Sequence, residues 1–293
     1  MVSQLTSSSN GPIDAMQVAK LRGLPGHLAA NIKGQDHTLP RIVSVLTRGE
    51  LGLANPRRPR GSFLFVGPTG VGKTEMTNVF TEYLFGAKPI RFDMSEYQLQ
   101  KSVDRLLGES ASDSGLLGRA LRGVTHGTLL FDEVEKAHPL VLDLFLQILE
   151  DARITLNNGE TINLGGFYIV CTSNLGSSET MRMESAPFAS VERTVLMRVR
   201  EQLRPELVGR FNEIVVFARL NYLTQREICQ AVIAAEQARL SSLGHIIEIT
   251  PEMLETLIRS GYCKMFGARR MRGVVERHLQ EAIMNWLIEL GKP

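Results

Sequence analysis

The stretch Ser62-Phe63-Leu64-Phe65-Val66-Gly67-Pro68-Thr69-Gly70-Val71-Gly72-Lys73-Thr74 decides the fold: an apolar run, a glycine-rich turn and a Lys-Thr pair that opens the helical residues 75–84. A short run rich in aromatic and branched residues is a buried strand, and G-x-x-x-x-G-K-T between such a strand and a helix is a phosphate-binding loop. Gly67, Gly70 and Gly72 permit backbone conformations that a Cβ would forbid, so the loop that runs through Pro68, Thr69 and Val71 turns its N–H groups toward the α- and β-phosphates of a nucleotide. Lys73 is aimed at the β/γ-phosphates and Thr74 supplies a hydroxyl for Mg²⁺, while the N-terminus of the helix adds partial positive charge.

Outward from this loop, short apolar runs alternate with longer helical ones. Pro89-Ile90-Arg91-Phe92-Asp93, Gly127-Thr128-Leu129-Leu130-Phe131-Asp132, residues 166–173 and Glu213-Ile214-Val215-Val216-Phe217 join the first strand to make five. Their near-continuous hydrophobicity predicts a parallel sheet covered by helices on both faces. Residues 18–53 have helical spacing broken at Gly34-Gln35-Asp36, a helical lead-in to the sheet. After Thr224 the pattern is helical over 225–240, 251–260 and 268–290, and Thr250-Pro251-Glu252 is a helix start with proline at its first position. The expected organisation is a polar disordered tail at 1–18, an α/β nucleotide-binding domain at 19–220 and a small helical domain at 221–293.

Composition narrows the function. The chain has 293 residues, 43% hydrophobic and 22% charged, enough apolar material for a large core. A net charge of +2 gives no global reason to expect nucleic acid or an anionic membrane as partner. Arg57, Arg58 and Arg60 sit between prolines in a stiff connector, a local basic patch at most. Cys171, Cys229 and Cys263 are widely spaced and lack metal-ligand pairing, which fits small buried residues in a reducing compartment. No apolar stretch is long enough to span a membrane and the start has no leader pattern, so a cytoplasmic location is expected.

The hydrolytic chemistry is carried by Thr128-Leu129-Leu130-Phe131-Asp132-Glu133, a buried strand ending in two acids. Asp132 is placed to hold Mg²⁺ through its water shell and Glu133 to polarise the attacking water. Thr172-Ser173-Asn174 ends another apolar strand in a polar amide, which by itself is more often a turn-former than a group orienting water near the γ-phosphate.

Several further stretches resemble one family in the same order along the chain. Asp132-Glu133-Val134-Glu135-Lys136-Ala137-His138-Pro139, Thr172-Ser173-Asn174-Leu175-Gly176, Leu203-Arg204-Pro205-Glu206 with Gly209-Arg210-Phe211, and Phe266-Gly267-Ala268-Arg269 are similar to AAA+ ATPases of the Clp type. The likeness is greatest to the second nucleotide-binding domain of the Clp disaggregase and unfoldase chaperones. It implies ATP with Mg²⁺ as ligands, a homo-oligomeric ring, expected as a hexamer, and a protein client or adaptor. It gives Asn174 the sensor-1 role and Arg269 the sensor-2 role of touching the γ-phosphate. Arg210 resembles the arginine finger that enters the neighbouring subunit's site; its plain alternative is an ion pair with Glu206 or Glu213. Ile32, in Ile32-Lys33-Gly34-Gln35, matches the family position that packs near adenine, or is simply a packed helix end.

The chain also departs from that family. The unfoldases grip polypeptide with a Gly-aromatic-Val-Gly loop, whereas Glu109-Ser110-Ala111-Ser112-Asp113-Ser114-Gly115-Leu116-Leu117-Gly118 is shorter and has no aromatic residue. Either Gly115-Leu116-Leu117-Gly118 is a degenerate pore motif or, as the periodicity of Arg119-Ala120-Leu121-Arg122 favours, Leu116 and Leu117 begin the next helix and the grip is deleted. Residues 176–196 carry no Ile-Gly-Phe or Ile-Gly-Leu tripeptide, so no proteolytic chamber is expected as partner. The residues before 25 leave no room for a folded substrate-binding domain, so client choice is expected from the tail, the loops or a separate protein. Protein remodelling is the leading expectation, and an ATP-gated scaffold or switch that threads nothing is the alternative. A nucleic-acid-associated regulator is disfavoured by the balanced charge.

Overall fold

In the computed structural model, which describes residues 14–110, 112–263 and 267–290, β1 (Gly61–Val66) is buried along its whole length. Phe63 and Phe65 enter one core and Leu64 and Val66 the other, so the unbroken apolar run serves two faces at once. Before β1 run α1 (Ala15–Asn31) and α2 (Leu39–Glu50); after it come α3 (Lys73–Phe85), β2 (Ile90–Asp93), α4 (Gln100–Leu107), α5 (Gly115–Leu121) and β3 (Gly127–Asp132). Next are α6 (Pro139–Asp151), β4 (Arg153–Thr155), β5 (Thr161–Asn163), β6 (Phe167–Ser173), α7 (Ser177–Arg182), α8 (Phe188–Gln202), α9 (Pro205–Val208) and β7 (Glu213–Val216). Then follow α10 (Tyr222–Ser242), α11 (Pro251–Gly261) and α12 (Arg269–Leu290).

The five-stranded sheet has the order β2-β3-β6-β1-β7, with every neighbouring pair parallel. The five strands are those expected, each within one residue at its ends. Register places Val66 beside Ser173 and Phe131 beside Cys171, so the loops after β1, β3 and β6 leave the same edge of the sheet. Ligands in open parallel sheets bind at such an edge, outside the carboxyl ends of the strands.

Two cores hold the α/β unit together. Leu64, Val66, Leu129, Phe131, Ile169 and Cys171 pack with α4, α5, α6 and α8, and Phe63, Phe65, Leu130, Tyr168 and Val170 pack with α1, α2 and α3. Each fully buried large apolar side chain contributes roughly 1.5–3 kcal/mol before entropy is counted. A third core, from Cys229, Ile233, Leu240, Leu257, Ile258, Met271, Val275 and Leu279, belongs to α10–α12. Cys171 and Cys229 are buried and unbridged, and burial pushes both thiols up, Cys229 to about 11. Among the described residues no helix is long and apolar enough to cross a membrane.

Three local findings refine the sequence reading. Residues 15–18, expected in a disordered tail, already belong to α1, because the Asp14 carboxylate accepts the Met16 N–H at 3.0 Å and caps the helix; residues 1–13 lie outside the described residues, as do Ala111 and Phe266. The antiparallel hairpin β4–β5 was not anticipated. Its strands have three residues each, too short for period-two alternation to register, and Asn158-Gly159 at its turn was the available signal. Leu116 and Leu117 lie in α5, as the helical periodicity favoured.

The loop between α4 and α5 is stapled. Asp113 accepts N–H groups from Glu109 at 3.1 Å and Gly115 at 3.0 Å, and the Arg119 guanidinium at 2.9 Å. Gly115 has φ +64°, and a Cβ there would lie 2.4 Å from the Leu106 carbonyl oxygen. From the hairpin, Asn157 donates its N–H to the Leu107 carbonyl at 3.1 Å and its side-chain amide to the Gly108 carbonyl at 2.6 Å.

Gln35, fully buried between α1 and α2, ties the lead-in to the sheet edge. Its amide donates to the carbonyls of Val71 and Ala218 at 3.1 and 2.9 Å and accepts the Ala218 N–H at 2.9 Å. Gln35→Leu leaves those buried groups without partners and is expected to lower stability by about 2–4 kcal/mol in a urea titration. An unchanged midpoint would show that water replaces the amide at no cost.

Candidate active site

The loop after β1 closes around the Lys73 ammonium. Nζ donates to the carbonyls of Gly67 at 2.6 Å and Pro68 at 2.8 Å, and to Asn174 Oδ1 at 3.0 Å. Gly67 has φ +140°, and a Cβ on it would stand 2.6 Å from the Phe217 carbonyl oxygen, so only glycine lets the loop leave β1 here. Lys73 is the first residue of α3, which aims the helix N-terminus at the same space. Burial strips water from the ammonium and lowers its pKa to about 8, against the opposing pull of Glu135 and Asp132.

β3 and β6 deliver the acids and the amide. Asp132 ends β3 and is buried; its Oδ1 accepts the hydroxyls of Thr172 at 2.7 Å and Thr74 at 3.3 Å. Its Oδ2 holds no hydrogen bond, although Arg91 Nε lies 2.6 Å away in ion-pair contact. Glu133, the next residue, has the left-handed φ of 57°, a conformation that costs a non-glycine residue of order 1 kcal/mol and recurs at functional sites. That turn points its carboxylate at Lys136 Nζ, 2.5 Å from Oε2, and at Asn174 Nδ2, 3.3 Å from Oε1. Glu135 Oε1 accepts the Asn174 N–H at 3.1 Å, and Thr69 Oγ1 donates to Asn174 Oδ1 at 3.2 Å.

These groups face a cleft of about 830 Å³. Its polar end is lined by Thr69, Gly70, Val71, Gly72, Lys73, Thr74, Asp132, Glu133 and Asn174. Its other end is apolar, built by Ile32, Leu220, Ile228 and Val232, a size and polarity division suited to a nucleotide. The helical domain closes the cleft: Ala268 donates its N–H to the Gly70 carbonyl at 3.0 Å, and Arg269 and Arg272 line the wall. Thr74 and Asp132, whose Oδ2 accepts no hydrogen bond, fit a cation whose remaining ligands come from phosphates and water. Accordingly, no cluster of three His, Cys, Asp or Glu that could hold a metal occurs among the described residues.

Every residue expected at the site is therefore in this cleft or supports it, except Arg210. Arg210 lies outside: its Nε and Nη2 bond Glu150 Oε2 at 3.0 and 2.6 Å and its Nη1 bonds the Glu206 carbonyl at 2.9 Å. Glu213, the other partner considered, is taken by Arg41. The sequence reading missed Arg91, Glu135, Lys136 and Thr172. Arg91 was detectable as a lone cation in the apolar strand β2 and Lys136 as a cation three residues after Glu133; Glu135 and Thr172 act through contacts that only the folded register creates.

Comparison with known proteins identifies the family of the two domains. Residues 58–214 match the model of the AAA domain (Cdc48 subfamily), and residues 220–290 match the C-terminal D2-small domain of ClpB protein. The chain is 35% identical over 98% of its length to the chaperone protein ClpB of Aquifex aeolicus, covering 30% of that protein. It is 37% identical over 94% of its length to heat shock protein 100 of Trypanosoma brucei brucei, covering 33%. A closed-state cryo-EM reconstruction of Hsp104 with ATPγS and FITC casein superposes with a TM-score of 0.85 at 30% identity, over 94% of this chain and 49% of that one. The chain thus spans about a third of the length of the curated relatives it matches.

The buried ammonium has a pH signature in the absence of nucleotide. Below about pH 8, Lys73 is charged in folded and unfolded chains alike, and folding bears the whole desolvation cost. As pH rises from about 8 to 10.5 the folded chain sheds the proton first and that cost is withdrawn. Relative to Lys73→Met, the unmodified chain is expected to gain up to about 3 kcal/mol across this window, read from urea titrations at its two ends. A stability difference that does not change with pH would contradict the buried, charged lysine.

Proposed function

Because the chain belongs to the AAA+ ATPases of the Clp type, we propose that it hydrolyses ATP as a subunit of a homo-oligomeric ring, a hexamer, and uses the energy to remodel or disassemble a protein partner. The observation that carries this reading is the cleft itself, where Lys73, Thr74, Asp132, Glu133, Asn174 and Arg269 converge from two domains while Arg210 stands outside. Lys73 has exchanged water for three oxygen acceptors, so an entering β/γ-phosphate restores to it a full counter-charge. Thr74 and Asp132 would hold Mg²⁺, which when bound neutralises phosphate charge. Glu133 accepts the proton of the attacking water once it leaves Lys136 and Asn174. Arg269 approaches from the helical domain, so closure of that domain reports the γ-phosphate.

Arg210 supports a shared site. With its guanidinium held by Glu150 and the Glu206 carbonyl at the surface, it is available to a neighbouring subunit, where a planar fork neutralises charge on the transferring phosphoryl group. This reading includes no proteolytic chamber, nucleic acid or membrane. One observation favours a second form of it, in which ATP drives a switch and no polypeptide is threaded. The loop between α4 and α5 lacks an aromatic residue and is fastened at Asp113 and by Asn157 of the hairpin.

Glu133→Gln is expected to keep nucleotide binding and to lower turnover at least about 100-fold, as loss of a general base does. Full turnover in that variant would remove Glu133 from its role. With the unmodified protein, a labelled unstructured polypeptide is expected to stimulate hydrolysis; a folded fluorescent reporter that keeps its signal under the same conditions is the outcome of the switch. Loss of the reporter signal would mean that the stapled loop does thread chains.

A further inference from the structure

Arg91 has no part in the chemistry above, yet it makes the shortest contact to the carboxylate on which the metal side of the site depends. Its side chain is 54% exposed, whereas that of Asp132 is 5% exposed, and the two meet at 2.6 Å through Nε and Oδ2. The contact is an ion pair in which Oδ2 accepts no hydrogen bond. Oδ1 is different: it is fixed by Thr172 and Thr74. The carboxylate therefore has one oxygen anchored by two hydroxyls and one held by the ion pair to a half-exposed cation. β2 and β3 pair in register, Asp93 beside Asp132 and Arg91 beside Leu130, so Arg91 starts two residues back along the neighbouring strand and reaches forward into the cleft.

A buried carboxylate without a counter-charge is costly, and Arg91 supplies one from a position it can leave cheaply, since its side chain already reaches solvent. We propose that Arg91 is a displaceable counter-ion: it holds Asp132 in place while the site is without a divalent cation and yields Oδ2 when the cation arrives with nucleotide. It is a positioning residue, and this role rests on the nucleotide-site reading above. Its consequence is that divalent-cation binding competes with an internal cation, so the metal is admitted only at the affinity that the phosphates help to provide.

The test is binding of a fluorescent ADP analogue in buffers of graded free Mg²⁺. Arg91→Gln is expected to move the half-saturating Mg²⁺ about three- to tenfold lower, the effect of removing one competing charge beside a buried carboxylate. In EDTA without nucleotide the same variant melts below the unmodified chain, and the gap closes in saturating Mg²⁺ and ADP; a merely structural arginine would give equal gaps in both conditions. The unmodified chain carries the test on its own if the variant does not fold. Phenylglyoxal modification of Arg91, mapped by peptide mass, rises at least about twofold when Mg²⁺ replaces EDTA in the presence of ADP. A Mg²⁺ midpoint that is unchanged or higher, an equal melting gap, or unchanged modification overturns the proposal while leaving the ATP site intact. Failure of the unmodified chain to bind the analogue overturns both.

Discussion

A single buried ammonium organises this molecule. Lys73 begins α3 inside a loop that must leave β1 at Gly67, and its three acceptors come from that loop and from Asn174 beyond β6. A desolvated cation is stable only where oxygens surround it. The strand order places those oxygens: β6 lies directly beside β1, and β3 lies beside β6 with its acids at the same edge. Gln35 and Ala268 then fasten the lead-in and the helical domain to the phosphate loop.

Around that cation the site is compensated charge by charge. Asp132 meets Arg91, Glu133 meets Lys136, and Arg210 meets Glu150. Each of these groups is thus held by an internal partner, which on the proposed function it exchanges for nucleotide, water or a neighbouring subunit. The arrangement costs little where one partner is exposed, because water screens the pair and eases its opening. It also explains why Glu133 tolerates a left-handed backbone: its carboxylate is aimed by two contacts that the turn makes possible.

Much of this was legible in the sequence. The five strands are apolar because both faces are covered; the phosphate loop follows β1, Asp132 ends β3 with Glu133 next, and Asn174 follows β6, so local reading gave the fold and brought these residues to one edge. The hairpin β4–β5 was not legible because each of its three-residue strands turns a single side chain inward, Ile154 and Ile162, which is too few to show alternation. Glu135 and Thr172 were missed for a different reason: their importance arises from which strands lie side by side, and a linear pattern does not encode that register. Arg210 was recognised by family likeness alone, and its Glu150 partner lies 60 residues away in sequence.

Mixing two inactive variants tests the shared ATPase centre most directly. Arg210→Ala subunits keep Lys73 and Glu133, and Glu133→Gln subunits keep Arg210, so a mixed ring contains interfaces that are complete. ATP turnover of the mixture is expected to rise well above that of either variant alone at the same total concentration. A mixture no more active than the average of its two components would show that each site is built from one chain, and the ring-coupled mechanism would fall.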